Sequence, residues 1–238
     1  MDKKSFYKKL KQESEKLNIN ISENKANLLY TYMKELIDWN KKINLTSIID
    51  EDEIIIKHFI DSLTVLKYTQ NKNNLIDIGT GAGFPGIPLA IMNDKLNVML
   101  LDSLNKRIIF LNYIIEKIGL KNVKAIHGRA EDIAKIKNYR EKYDIVVSRA
   151  VAELNILLEY MLPFNSLNGT CICMKGANID EIEAAKNALI KLGGKINTIE
   201  KISLNYNKIN RNLIIINKIK NTPNIYPRKA GTPRKSPL

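Results

Sequence analysis

The sequence predicts an α/β protein: a seven-stranded, mostly parallel sheet with one reversed strand, preceded by a helical cap. Three observations lead there. From Leu75 onward, short apolar runs alternate with amphipathic stretches, the pattern of strands covered by helices on both faces. The last two apolar runs, 196–204 and 211–219, are separated only by Asn205 to Asn210. That gap permits an antiparallel hairpin and is too short for a parallel crossover. The first 70 residues hold no glycine or proline and show only helical periodicity.

Taken in order, residues 1–20 place Phe6, Leu10 and Leu17 on one face of a helix. Ser22 can cap a second helix whose stripe is Leu28, Leu29, Tyr32, Met33, Leu36 and Ile37. A polar turn covers 40–47. Asp50 with Glu53 reads as a capping box, opening a third helix that runs to about Lys67. Strands are expected at 74–78, 97–101, 123–127, 143–148, 169–174, 196–204 and 211–219. Helices are expected at 85–92, 104–118, 130–137, 151–161 and 178–192. Residues 221–238 carry four of the seven prolines and no hydrophobic period, so they read as an irregular tail. The expected organisation is a helical extension at 1–70, a catalytic domain at 71–220 and a basic tail at 221–238.

With 238 residues, 45% of them hydrophobic, the chain can bury a real core as one domain with an extension. No apolar run is long enough to cross a bilayer, and Met1-Asp2-Lys3-Lys4 is not followed by an apolar signal core. A cytoplasmic protein is expected. Cys171 and Cys173 lie two apart in a strand with no second pair to complete a zinc site, so they read as structural thiols. The net charge of +13 favours a polyanionic partner, nucleic acid first. A composition heavy in Lys, Asn and Ile, as an AT-rich genome would give, is a second source of that charge. The tail concentrates it: Arg228, Lys229, Arg234 and Lys235 follow with no acid after Glu200. Deleting 226–238 should therefore flatten the salt dependence of RNA binding.

The run Leu75-Ile76-Asp77-Ile78-Gly79-Thr80-Gly81-Ala82-Gly83 carries the chemistry. It is a buried strand that breaks into three alternating glycines and then, past Phe84-Pro85-Gly86, a helix. Glycine there lets backbone approach a ligand and adopt positive φ, and the loop lies at the carboxyl edge, where such sheets bind ligands. Two registers compete. Gly79-x-Gly81-x-Gly83 is the spacing common in S-adenosylmethionine (AdoMet) enzymes, whereas Gly81-x-Gly83-x-x-Gly86 fits a dinucleotide site. The strand's last apolar residue, Ile78, abuts Gly79 rather than Gly81, which favours AdoMet. Asp102, ending the next strand, can accept both ribose hydroxyl protons or simply cap the following helix. Gly128-Arg129-Ala130-Glu131-Asp132 follows the third strand. It can read an adenine edge or serve as an acidic helix start. Ser148-Arg149-Ala150 and Lys175-Gly176 follow the fourth and fifth strands.

The fourth-strand segment narrows the acceptor. Amino-group methylation wants a polar residue, two prolines and an aromatic there, and Ser148-Arg149-Ala150-Val151 supplies none of that grip. Cytosine-C5 chemistry needs a loop cysteine, and both cysteines are mid-strand. An acceptor that is already nucleophilic remains, such as guanine N7, which needs alignment more than a base. Arg149 and Lys175 are the candidate catalytic residues. Arg149 would position a phosphate or base, or else pair with Glu131 or Glu153.

Six segments in order along the chain carry a family resemblance: Trp39-Asn40-Lys41-Lys42-Ile43-Asn44-Leu45-Thr46, His58-Phe59-Ile60-Asp61-Ser62-Leu63, the glycine run through Gly86, Gly128 to Asp132, Ser148 to Ala152, and Tyr226-Pro227-Arg228-Lys229-Ala230-Gly231-Thr232-Pro233. The chain resembles the bacterial 16S ribosomal RNA guanine-N7 methyltransferase family (RsmG, formerly GidB). The resemblance implies a Rossmann-like class I AdoMet-dependent methyltransferase fold. It also implies methylation of one guanine in 16S rRNA of the 30S subunit, near the decoding centre. It implies cofactor contacts at Gly79, Phe84, Ala130, Glu131 and Arg149, beside Gly81, Gly83 and Asp102 from the spacing argument. It also draws attention to His58 and Asp61. By chemistry alone Phe84 is a helix-start staple and His58 a structural histidine. A monomer working on RNA, away from membranes, is expected.

Overall fold

Aliphatic and β-branched residues fill both faces of the apolar runs, and these become seven strands in one sheet. They are β1 (Asn74–Ile78), β2 (Asn97–Asp102), β3 (Val123–His127), β4 (Tyr143–Arg149), β5 (Asn165–Lys175), β6 (Gly194–Leu204) and β7 (Ile209–Lys218). The computed structural model describes residues 1–149, 151–177, 180–204 and 209–238. Ala150, the first two residues of the helix expected at 178–192, and residues 205–208 of the hairpin turn lie outside them.

The strand order is β3-β2-β1-β4-β5-β7-β6. β1 pairs in parallel with β2 and β4, β2 with β3, and β4 with β5. β7 runs antiparallel to both β5 and β6, so it is the reversed strand. The sheet is an α/β, mostly parallel one, as the alternation and the short last gap required. Connections leave β1 in opposite directions, which opens a crevice at the carboxyl ends of β1 and β4. β5 begins earlier than expected, because Asn165 pairs with Tyr143 ahead of a bulge in that ladder.

Helices α1 (Lys3–Glu15) and α2 (Glu23–Ile43) form the N-terminal layer. Their caps are Asp2 and Ser22, whose side chains accept the N–H groups of Ser5 and Lys25. Asp50 accepts the Glu53 N–H at the start of α3 (Glu51–Glu53). The third helix then departs from expectation. Its middle, Ile54–Ile60, is π-helical before α4 (Asp61–Leu63) and a 3-10 turn, Leu66–Thr69. The remaining helices are α5 (Gly86–Met92), α6 (Asn105–Lys117), α7 (Ala130–Ile133), α8 (Leu154–Met161), α9 (Glu181–Ala184), α10 (Lys186–Leu192) and α11 (Thr232–Lys235). α7 is a single turn rather than 130–137, since the polar run after Ala134 has nothing to bury.

Alternate residues of the strands divide the core. Leu75, Leu100 and Ile145 face a layer made of the N-terminal helices, α5 and α6, with Phe6, Tyr32, Phe59 and Phe110 at its centre. Ile76, Val146 and Ile214 face α8 and α10 through Leu157, Met161 and Leu189. The N-terminal helices therefore share a core with the sheet. Cys171 and Cys173 are both fully buried on the α8 and α10 face, as i and i+2 in a strand must be. Among the described residues, no helix is long and apolar enough to cross a membrane.

Candidate cofactor and substrate site

The loop after β1 folds back over the end of β2. Gly79 donates its N–H to the Leu101 carbonyl at 2.8 Å, and Gly81 donates to Asp102 Oδ2 at 2.9 Å. Both glycines sit at positive φ, +68° and +64°. They differ in what a side chain would meet. A Cβ on Gly81 would find nothing within 4 Å, whereas one on Gly79 would lie 2.6 Å from Val151. Gly83 points elsewhere: a Cβ there would strike Ile87 at 2.5 Å and the Tyr32 hydroxyl at 2.8 Å. It packs the loop against α2 and α5 and lines neither of the cavities below.

Asp77 holds the loop from beneath. Its Oδ2 accepts the Thr80 hydroxyl at 2.7 Å and the Gly86 N–H at 2.9 Å, while Oδ1 is buried without a partner. Burial pushes this carboxyl up to about 6, against the pull of those two hydrogen bonds. The folded state thus binds the proton more tightly than the unfolded chain, so stability falls as pH rises from 3.8 through about 6. Asp77→Asn keeps an acceptor for Thr80 and Gly86 and turns a donor to the orphaned position. Across that window the variant is expected to lose this one contribution, so its urea midpoint should rise relative to that of the wild type as pH increases, with no loss of stability at pH 7.

Two cavities meet over this loop. One, of about 330 Å³, lies between the ends of β2 and β3 and is lined by Leu101, Gly128, Arg129, Ala130, Glu131 and Tyr160. The other, of about 440 Å³, lies over the glycine loop, with Thr46, His58, Gly81, Phe84, Arg107 and Arg149 around it. Gly79, Asp102, Ser103, Val151 and Arg234 belong to both. The expected residues Gly79, Gly81, Phe84, Asp102, Ala130, Glu131 and Arg149 are thus brought to one crevice. Asp102 is 2% exposed and already engaged. Its carboxylate accepts from Gly81, from the Leu104 N–H at 2.9 Å and from Arg107 at 3.1 Å. It lines the cavities and holds the turn that leads into α6, and Arg107 is its partially exposed partner.

Arg149, at the end of β4, is held by the π-helical segment. It donates to the Lys57 carbonyl at 2.8 Å, to Asp61 Oδ2 at 2.9 Å and to His58 Nδ1 at 3.0 Å. The Asp61 N–H bonds to Ile56 and His58 carbonyls, which leaves the Lys57 carbonyl for the guanidinium. The wide π turn thereby collects three acceptors at one point, a placement that such turns favour at functional sites. The partner of Arg149 is Asp61, rather than Glu131 or Glu153. Asp61 is fully buried and also accepts Arg211 from β7, at 3.1 Å.

His58 has the partners that the sequence did not signal. Its Nε2 lies 2.9 Å from Thr46 Oγ1, and its ring stacks on Phe84 at 4.3 Å. Burial, then the Arg149 charge, lowers its pKa to about 3. The imidazole is neutral at physiological pH, with Nδ1 accepting from Arg149 and the proton on Nε2 facing Thr46. Phe84 is both the staple and a wall: it stacks on Tyr32 at 5.2 Å and lies beneath Arg149.

Lys175 stands apart from the two cavities. It donates to the Ala152 carbonyl at 2.7 Å, pairs with Glu181 at 2.9 Å and lines a separate space behind Arg149.

The tail is docked rather than loose. Arg140 donates to carbonyls of Thr222, Pro223 and Tyr226. Arg228 grips the fully buried Glu159 through both carboxylate oxygens, at 2.7 to 3.2 Å. The Gly231 N–H donates to Glu131 Oε1 at 3.0 Å, which brings Gly231 and Arg234 to the wall of the crevice. Cutting off 226–238 would therefore open this wall as well as remove charge. Arg228→Gln is expected to free the segment, so limited proteolysis should cleave within 226–238 well before the rest of the chain.

Sequence reasoning missed Arg211 and the site-facing role of Arg234. Arg211 carries only a faint signal, a charge just ahead of the apolar run Leu213 to Ile216; Arg234 is visible only as tail charge.

In structure, the chain is similar to a SAM-dependent methyltransferase from Aquifex aeolicus, with TM-score 0.53 and 19% identity, over 76% of this chain and 97% of that one. It is also similar to M. jannaschii TYW2 in complex with AdoMet, with TM-score 0.54 and 19% identity, over 68% and 76%. These likenesses concern the fold. In sequence, it is 50% identical to a ribosomal RNA small subunit methyltransferase G of Desulforamulus reducens, over 96% of this chain and 97% of that protein. It is 46% identical to one of Clostridium perfringens, over 98% and 99%. Residues 24–214 match the family model GidB, described as rRNA small subunit methyltransferase G. The chain belongs to that family.

Proposed function

We propose that the protein transfers the methyl group of AdoMet to N7 of one guanine in 16S rRNA of the small ribosomal subunit, near the decoding centre. The observation that carries this reading is the pair of cavities joined at Gly79 and Asp102 on the carboxyl edge of the sheet. One end suits a nucleoside between the Leu101 and Ala130 backbones. The other suits the amino-acid part, above Gly81, where a Cβ would meet open space. Bound there, AdoMet would supply an electrophilic methyl carbon whose C–S pair returns to sulfur as guanine N7 bonds to it, so no protein group would need to take a proton.

The residues around the site fit a reaction of that kind. N7 needs no base, and the neutral His58 is committed to Arg149 and Thr46. Arg149 is fixed on three sides, so it can orient a ligand's anionic group without losing side-chain freedom at that moment. Lys175, tied to Glu181 and the Ala152 carbonyl, lies apart from the cofactor cavities. Charge passes from sulfur into the purine ring, so the reaction needs alignment rather than a base. The shared core implies that the N-terminal helices shape this edge of the sheet. The protein acts as a monomer in the cytoplasm, without a membrane partner.

Isothermal titration with AdoMet and with NAD, followed by labelled methyl transfer to 30S particles lacking the modification, tests the reading. Binding of AdoMet alone and stoichiometric transfer are expected. NAD binding without AdoMet binding would assign an oxidoreductase. Tight rRNA binding with no affinity for AdoMet would assign a non-enzymatic RNA-binding protein.

A further inference from the structure

We propose that Arg129 and Arg234 form a phosphate clamp at the nucleoside end of the crevice, holding the rRNA backbone beside the target guanine. The proposal rests on the methyltransferase reading above and names two contacts that this reading leaves open.

The first observation is the accounting of guanidinium groups. Arg107 is paired with Asp102, Arg149 and Arg211 with Asp61, and Arg228 with Glu159; Arg140 is bonded to tail carbonyls. The side chains of Arg129 and Arg234 have no hydrogen bond or ion pair among the described residues. Both are exposed, and both stand on the wall of the same cavity.

The second observation is how they are aimed. Arg129 precedes α7 directly after β3. Arg234 comes from the far end of the chain, delivered by the Arg228–Glu159 pair and the Gly231–Glu131 hydrogen bond. Both line the cavity beside Tyr160, on a wall that Glu131 shares. Two like charges at one mouth repel, and a bound polyanion turns that repulsion into attraction.

The third observation concerns which anion is meant. The cofactor's only anion is its carboxylate, and its amino-acid part belongs in the other cavity, near Arg149. Where Arg129 stands it offers no anion, and Arg234 stands on the rim that the two cavities share. Both forks are exposed, and a phosphodiester is the anion that RNA brings, matched by bidentate guanidinium geometry. Lys229 and Lys235, exposed on the same tail, continue the positive rim.

The test uses the full chain and unmethylated 30S particles. Arg129→Gln, Arg234→Gln and the double variant are compared with wild type for AdoMet affinity and for kcat/KM on 30S across graded KCl. Each substitution is expected to lower kcat/KM about tenfold and make the log–log salt slope shallower by about one. Arg129→Lys and Arg234→Lys should retain the slope, since the charge remains. An unchanged slope in the double variant overturns the proposal. A weakened AdoMet affinity with an unchanged slope overturns it too, and gives both arginines to the cofactor. A wild-type chain that neither binds AdoMet nor methylates 30S would instead sink the methyltransferase reading itself.

Discussion

Gly79→Asp is expected to abolish methyl transfer while the chain still folds. Gly79 is at φ +68° and lies on the wall that both cavities share. A left-handed conformation costs a non-glycine residue about 1–2 kcal/mol, and Asp tolerates it better than most. The Cβ would approach the tip of the Val151 side chain at 2.6 Å, and Val151 is only partly buried and can turn aside. The fold should absorb this strain. The ligand cannot, because the new carboxylate would occupy the junction through which the cofactor must pass. It would also lie beside the Asp102 carboxylate, adding like-charge repulsion. Titration should show AdoMet affinity reduced by roughly a hundredfold or more, equivalent to about 2.7 kcal/mol. Circular dichroism should be unchanged. Wild-type-like transfer by this variant would refute the assignment of the loop.

Asp61→Ala should be the most damaging single change to the fold at this edge. Its carboxylate is 1% exposed and neutralises two guanidinium groups, Arg149 and Arg211, from different strands. Removing one partner of such a buried network typically costs about 3–5 kcal/mol, because the remaining charges have left water without compensation. Urea denaturation should register a loss of that order. Activity should fall further than stability alone explains, since Arg149 would keep only the Lys57 carbonyl and His58 as anchors. Asp61→Asn retains an acceptor and the shape, so it should recover part of the stability. If Asp61→Ala unfolded at the wild-type urea midpoint, the buried network would not be holding this edge together.

Much of the fold was legible because local patterns and tertiary packing agree here. The strand at 74–78 and the caps at Ser22 and Asp50 appear where side-chain chemistry placed them. The hairpin was fixed by arithmetic, since a short gap cannot cross over. The π-helical turn was not legible: Ile54–Ile60 has ordinary helical periodicity, and its irregularity serves a guanidinium about ninety residues away in the chain. The same holds for Asp61, whose partners on β4 and β7 no spacing rule connects. For the site, the glycine register pointed to this loop, and Gly79 and Gly81 line the crevice. It could not separate them from Gly83, because alternation says nothing about which side a missing Cβ would occupy. The tail reads as irregular and basic, which leaves its docking illegible: Arg228 finds a carboxylate buried on α8, and a contact of that range leaves no local trace.

The most direct test of the central claim is made on the RNA itself. Ribosomal RNA is taken from a strain lacking this gene and from the same strain carrying it, treated with borohydride and aniline, and read by primer extension. N7-methylguanosine is cleaved by that treatment and guanosine is not. A single stop at one 16S guanine, present only when the gene is supplied and absent with the Gly79→Asp variant, is the expected result. The same stops in both strains, or a stop that Gly79→Asp restores, would contradict it.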